Sequence, residues 1–415
     1  MRLLLVTDAY PPLIGGANRS AQLLAKGMTD RGHVVSVATA WQAGLPSIEE
    51  DGRIKIHRVR DLTSRIPWIS ADPYVHIPPP FPDPEAVWRF KRIVRSFRPD
   101  IVHSYGWLSY SCAAALLGSH VPLLLSARDY GNVCAVRTLM HNGSICEGPQ
   151  LGKCLSCSTR FYGAPKGVVA VAGVFTGRAL LRRKTRRLHS VSGYVQQVMH
   201  RHLVGSRSKI AEVVIPNFRP EAEPAPPDQS ILNCLPSQPF ILYVGAFRQV
   251  KGIDLLLSAY ARLTDRPPMV LVGTRAPDSP SSYPNEVTVL FDVPRDTVMA
   301  IWDRALYGVA PSRWPEPLGN VVHEGMSRGK AIIGTRPGGH EDMIANEKTG
   351  LLVPAGDEDA LVAAMQRLIN DPADAIAMGK NAFVRSRLFT SDIVMSQYEE
   401  LYETTKRRQT HEFPR

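Results

Sequence analysis

At 415 residues the chain is too long for one ordinary hydrophobic core and implies two domains of roughly 200 residues each. With 44% hydrophobic and 21% charged residues it has a globular composition, which excludes a disordered or fibrous chain, and no apolar run reaches the ~18 residues of a spanning helix. The net charge of +11 is uneven: residues 1–215 hold 28 Lys and Arg against 13 Asp and Glu, and residues 216–415 hold 21 against 25. No aromatic platform or recognised binding motif accompanies the excess, so nucleic-acid binding is not expected.

The chain opens on a short apolar strand cut off by Asp8 and Pro11-Pro12 rather than on a secretory apolar region, and a cytoplasmic protein is expected. Strands are predicted at Leu3–Val6, Val34–Ala38, Ile54–Val59, Ile101–His103, Leu123–Ser126, Leu188–Val191 and Val213–Ile215. Helical patterns such as Arg19–Asp30 and Pro84–Phe97 lie between them. Residues 216–239 carry seven prolines and few apolar residues, the composition of a linker. The alternation resumes with strands at Phe240–Val244, Met269–Val272, Val287–Leu290, Leu306–Ala310, Ala331–Gly334 and Leu351–Val353, and ends on a helical Asp392–Lys406. Strand–helix alternation on this scale predicts an α/β protein of two doubly wound parallel-sheet domains facing a central cleft, at 1–215 and 240–390, with 391–415 returning toward the first. Ligands of such sheets bind beyond the carboxyl ends of the strands.

Several loops fall at those ends. Gly15 and Gly16 follow the first strand and permit close backbone approach to a phosphate or sugar. His103 ends a strand and is a candidate to face the cleft, although a lone histidine there is as often structural. Cys134, Cys146, Cys154 and Cys157 are spaced to hold a structural zinc, to form disulfides, or to remain free thiols. The run Arg178, Arg182, Arg183, Lys184, Arg186 and Arg187 follows the apolar Val168–Phe175. Such a segment is attracted to anionic lipid at about 1 kcal/mol per basic residue, or is a solvated helix end. After the strand Phe240–Val244, Arg248 offers a bidentate fork and Lys251 a point charge for a diphosphate. Gly338 and Gly339 mark a third loop of this kind.

The stretch Pro311–Lys330 is the most informative. Pro315 and Pro317 keep Glu316 extended and ahead of a helix that begins near Gly319, and Glu324 projects from that helix's second turn. An anion can sit on the unpaired amides of Leu318, Gly319 and Asn320 while the two carboxylates accept hydroxyl protons on either side. That constellation suits a sugar nucleotide. Asp357, Glu358 and Asp359 read as a helix cap and first-turn acids rather than a metal site.

On these residues the chain resembles the retaining glycosyltransferases of family 4, with the GT-B fold, over nearly its whole length. The resemblance is carried by Tyr243 to Phe247 with Lys251-Gly252, Ala310-Pro311-Ser312, Glu316 through Glu324, Gly338-Gly339 and Thr349 to Val353, together with Gly15-Gly16, Pro99 to His103 and Ile215 to Asn217. It implies transfer of a sugar from a nucleoside diphosphate sugar to an acceptor (a glycan, a lipid-linked precursor or a small molecule) with retained configuration and no required metal. By motif position Glu316 would meet the sugar hydroxyls, Glu324 the ribose, Lys251 the diphosphate and Gly16 the phosphate. The candidate catalytic residues are Glu316, Arg128 and Lys251.

Two positions depart from the family. Ala246 stands where a diphosphate-binding arginine is usual, with Arg248 two residues on, and Arg128 takes the place of a histidine. An arginine there serves electrostatically in a front-face reaction whose leaving phosphate is the base, or it is structural. The competing classes are another GT-B enzyme (a sugar-nucleotide epimerase or an inverting transferase) and a two-domain sugar binder without chemistry. A tandem dinucleotide-binding dehydrogenase lacks its Gly-x-Gly-x-x-Gly.

Overall fold

The computed structural model describes residues 1–12, 16–65, 76–218 and 225–407, which form two compact units. In the first, an eight-stranded sheet is built from β1 (Arg2–Thr7), β2 (Val34–Ala40), β3 (Ile48–Asp51), β4 (Ile54–Val59), β5 (Ile101–Tyr105), β6 (Leu123–Ala127), β9 (Thr185–Ser190) and β10 (Ala211–Val214). Its order is β10-β9-β6-β5-β1-β2-β4-β3, parallel throughout except for the antiparallel edge strand β3. The all-apolar Leu3–Val6 run suits β1 to the middle of such a sheet, where both faces are covered. Between β6 and β9 the chain makes a small hairpin of β7 (Met140–His141) and β8 (Ser144–Ile145). The helix Leu151–Tyr162 follows, then the 21-residue helix Ala164–Lys184.

That last helix is long and apolar enough to cross a membrane by length and composition alone, although Lys166, Thr176 and Arg178 break its apolar run. Gly173 and Gly177 face inward, where a Cβ would strike Pro80 and the ring of Tyr110, so the helix lies close on the domain.

The second unit has six parallel strands: β11 (Phe240–Val244), β12 (Met269–Gly273), β13 (Val287–Phe291), β14 (Ala305–Val309), β15 (Ile332–Arg336) and β16 (Gly350–Pro354), ordered β13-β12-β11-β14-β15-β16. Inside the expected linker, Asp228 caps a short helix at Gln229–Leu232. The helix Ser391–Arg407 belongs to the first unit's core, where Val394, Met395, Tyr398, Leu401 and Tyr402 pack with Leu3, Leu5 and Leu24. Its polar edge is fastened by Glu399 to Arg31 at 2.6 Å and by Lys406 to Asp100 at 2.9 Å.

Candidate functional site

In the second unit β11, β14 and β15 are neighbours at the centre of the sheet, so the three loops beyond their carboxyl ends are brought side by side. The loop after β11 is fixed by the Tyr243 hydroxyl donating to the Ala246 carbonyl at 2.8 Å and by the Phe247 amide donating to Thr274 at 3.0 Å. It ends at Gly252, whose φ of +75° and close contact with the Pro311 carbonyl leave no room for a side chain. This geometry delivers Lys251 to the loop after β14.

There Lys251 Nζ donates to both carboxylate oxygens of Glu316, at 2.8 and 2.9 Å. Ser312 Oγ and Trp314 Nε1 donate to Oε2, at 2.9 and 2.7 Å. Glu316 is 9% exposed. Burial works to raise its pKa, but the Lys251 ammonium, His340 and the bonds from Lys251 and Ser312 outweigh burial and hold it below the ordinary carboxylate range. The carboxylate is therefore ionised and locked, and Lys251 also lies over the Trp314 ring, 5.2 Å from its centroid.

The loop after β15 closes against the same segment. The Gly339 amide donates to the Glu316 carbonyl at 2.7 Å. A Cβ on Gly338 would meet Glu316 N at 2.9 Å, and one on Gly339 would strike Pro317 and Leu318. The two glycines are thus required by the packing of one loop on another, and through it they support Glu316. Gly319, with a φ of +85°, caps the helix Asn320–Ser327. Leu318 is buried, while Asn320 and Glu324 are half-buried on that helix's first and second turns. Arg248 is paired with Asp278 at 3.3 Å and half exposed, and Asp278 also accepts the Gln249 amide at 3.0 Å.

In the first unit Arg128 follows β6. Its guanidinium donates to Asn217 Oδ1 at 3.3 Å and to the Tyr398 hydroxyl at 3.4 Å, and stacks 4.6 Å from the Tyr105 ring centroid. Asp129, its neighbour and a natural partner, is instead paired with Arg137 at 2.6 Å. Gly15 lies outside the described residues, and Gly16 opens the helix Gly16–Asp30.

One expectation is corrected. His103 is fully buried rather than facing a cleft, because β5 is a central strand and the helix Ser391–Arg407 covers it. It joins a chain of hydrogen bonds. His189 Nε2 donates to the Ile215 carbonyl at 2.8 Å, so His189 Nδ1 accepts from Ser126 Oγ at 2.6 Å. Ser126 in turn accepts from His103 Nε2 at 2.6 Å, and His103 Nδ1 accepts the Tyr402 hydroxyl at 2.8 Å. Cys134, Cys146, Cys154 and Cys157 are unlinked thiols, one of the three states their spacing leaves open. Burial pushes the thiols of Cys134, Cys154 and Cys157 up.

Sequence reasoning missed Ser312, Trp314 and His340. Ser312 and Trp314 precede Glu316 by four and two residues, the spacing that places side chains on one side of an extended segment, and the prolines around Glu316 already signal such a segment.

With this geometry in view, comparisons with known proteins give a consistent class. Residues 15–217 match the glycosyl transferase 4-like domain, and residues 229–385 match glycosyl transferases group 1. The D-inositol 3-phosphate glycosyltransferase of Corynebacterium aurimucosum is 29% identical over 178 residues, a match spanning 39% of this chain and 42% of that relative's length. Sucrose-phosphate synthase from Thermosynechococcus elongatus superposes with a TM-score of 0.73 at 22% identity, covering 97% of this chain and 98% of the other. Anabaena HepE in complex with UDP superposes with a TM-score of 0.68 at 16% identity, covering 97% and 100%. The fold is GT-B. The chain carries a glycosyltransferase 4-like domain followed by a group 1 glycosyltransferase domain.

Proposed function

We propose that the protein is a retaining, metal-independent glycosyltransferase that moves a sugar from a nucleoside diphosphate sugar to an acceptor. The observation that carries the reading is the buried, ionised Glu316, held by Lys251, Ser312 and Trp314 beside the start of the helix Asn320–Ser327. A locked carboxylate accepts sugar hydroxyl protons, while the helix start and Lys251 favour the diphosphate. In the reaction the bond from the anomeric carbon to the phosphate oxygen breaks with its electron pair going to the diphosphate. The acceptor oxygen bonds to the same face of that carbon, and its proton passes to the departing phosphate. Positive charge at the anomeric centre and negative charge on the diphosphate rise together, and fixed charges need no rearrangement to meet them. Glu324 on the second turn is assigned the ribose hydroxyls. Gly16, Arg128 and Arg248 are assigned to the same donor by motif position.

We assign the acceptor to the lipid-linked or cell-surface glycan precursors and the protein to the cytoplasmic face of the membrane. Between Glu147 and Glu212 the chain has twelve Lys and Arg and no Asp or Glu, and the helices there expose Leu151, Phe161, Val168 and Val169. This pairing of apolar side chains with uncompensated positive charge supports contact with anionic lipid.

The test is incubation with a panel of sugar nucleotides, scored by slow nucleotide release, followed by NMR of the product's anomeric proton once an acceptor is found. No release from any donor rejects the enzyme reading, and an inverted product rejects retention.

A further inference from the structure

His340 is 1% exposed and follows the Gly338-Gly339 turn. Its Nδ1 accepts the Thr335 amide at 3.1 Å. Burial pushes its pKa down to about 4, so at neutral pH the ring is uncharged, and with Nδ1 serving as acceptor its single proton is on Nε2. Among the described residues Nε2 has no hydrogen-bond partner. It points at the start of the helix Asn320–Ser327: a Cβ built on Gly319, the residue capping that helix, would stand 2.5 Å from Nε2 and 3.4 Å from Glu316 Cγ. The unpartnered donor, the locked carboxylate and the positive end of a helix therefore meet at one point.

An N–H that no protein group accepts is free to donate to a ligand oxygen. The helix end selects for negative charge, and Lys251 balances the charge of Glu316, so an anionic oxygen suits this point. Resting on the nucleotide-sugar reading above, we infer that His340 is a donor-binding residue whose Nε2–H bonds an oxygen of the sugar-bearing, distal phosphate seated on the helix start. The proton remains on His340 throughout, and Thr335 fixes the ring for this task. At Gly319 the φ of +85° already disfavours a side chain, and a Cβ there would also cover Nε2.

The proposal separates the second phosphate from the first. In calorimetric titration the wild type is scored against UDP, ADP and GDP, and the tightest nucleotide is compared with its monophosphate. His340→Asn retains an acceptor near Nδ1 for Thr335 but lacks the distal donor; it should lose about tenfold in diphosphate affinity with monophosphate affinity within twofold of wild type. His340→Gln places an amide near Nε2 and loses the Thr335 bond; it should melt lower yet bind the diphosphate within about threefold of wild type. Unchanged diphosphate affinity in His340→Asn overturns the inference, as does an equal loss for both nucleotides. Wild-type protein that binds none of the three diphosphates instead rejects the nucleotide-sugar reading, and this inference falls with it.

Discussion

Lys251 Nζ bridges both carboxylate oxygens of Glu316, at 2.8 and 2.9 Å, although 65 residues separate the two in the chain. Each therefore holds the other's charge state, and neither acts as an independent ligand group.

Removing one partner leaves the other buried and unbalanced. Glu316→Gln and Lys251→Met should each lower stability by about 1–3 kcal/mol, while the double variant should lose less than their sum by 0.5 kcal/mol or more, as groups in one network do. Denaturant unfolding of all four proteins checks this. Simple additivity would mean that the pair is not coupled.

Glu316→Gln and Glu324→Gln should differ in kind. The first should mainly lower turnover. The second, on the helix's second turn, should mainly weaken nucleotide binding by roughly tenfold or more, the range of a lost hydrogen bond to a charged group. Calorimetric affinity and single-turnover rate, measured on both, decide. The same profile for the two variants would sink the division of roles.

The buried histidines predict acid sensitivity. Burial depresses His340 to about 4 and His189 to about 3, and it lowers His103 well below its ordinary value, with His189 and Arg128 adding to the effect. The unfolded chain takes up these protons near pH 6.5, so below that pH it binds more protons than the folded one and stability falls as pH falls. The slope is about 1.4 kcal/mol per pH unit for each histidine titrating in U alone, between about 6.5 and 4 for His340. Glu316, held low in the fold, adds its own loss only as pH passes below about 4.5. Ser126→Ala orphans both His103 Nε2 and His189 Nδ1 and should cost about 2–4 kcal/mol at neutral pH. Thermal melts from pH 8 to 4 measure the slope, and a flat profile rejects the assignment.

Arg128 is tested by comparing charge with shape. Arg128→Ala should lose on the order of a hundredfold in single-turnover rate and also melt lower, since Asn217 and Tyr398 lose their donor; Arg128→Lys should keep part of the rate. A lower melting temperature with an intact rate in the folded Arg128→Ala protein would assign the residue to the scaffold alone.

Strand positions were legible because a parallel strand buried on both faces, such as Phe240–Val244, is written as a continuous apolar run, and Ile54–Val59 as an apolar–polar alternation at its start; both coincide with the observed strands to the residue. The edge strand β3, reading Ile-Glu-Glu-Asp, is polar and has no such signature, and the two-residue strands of the hairpin after Leu139 are too short for one. At the site, Glu316 and Lys251 stood out separately because each sits in a punctuated loop, but their contact depends on the adjacency of β11 and β14, which chain order does not encode. His340 stayed hidden for a related reason. Its role rests on which nitrogen the Thr335 amide engages, and only the fold determines that.

The helix Ser391–Arg407 places side chains from the far end of the described chain among those of β1. A ribosome delivers β1 first and this helix only after all of residues 219–391, so the second unit's strands are all available while the first unit still lacks part of its interior. Until then Leu3, Leu5 and His103 have no Tyr398 or Tyr402 to cover them. The nascent first domain therefore lacks part of its apolar cover for the time needed to translate the second, and a stalled or nicked chain would show the cell an unfinished apolar surface.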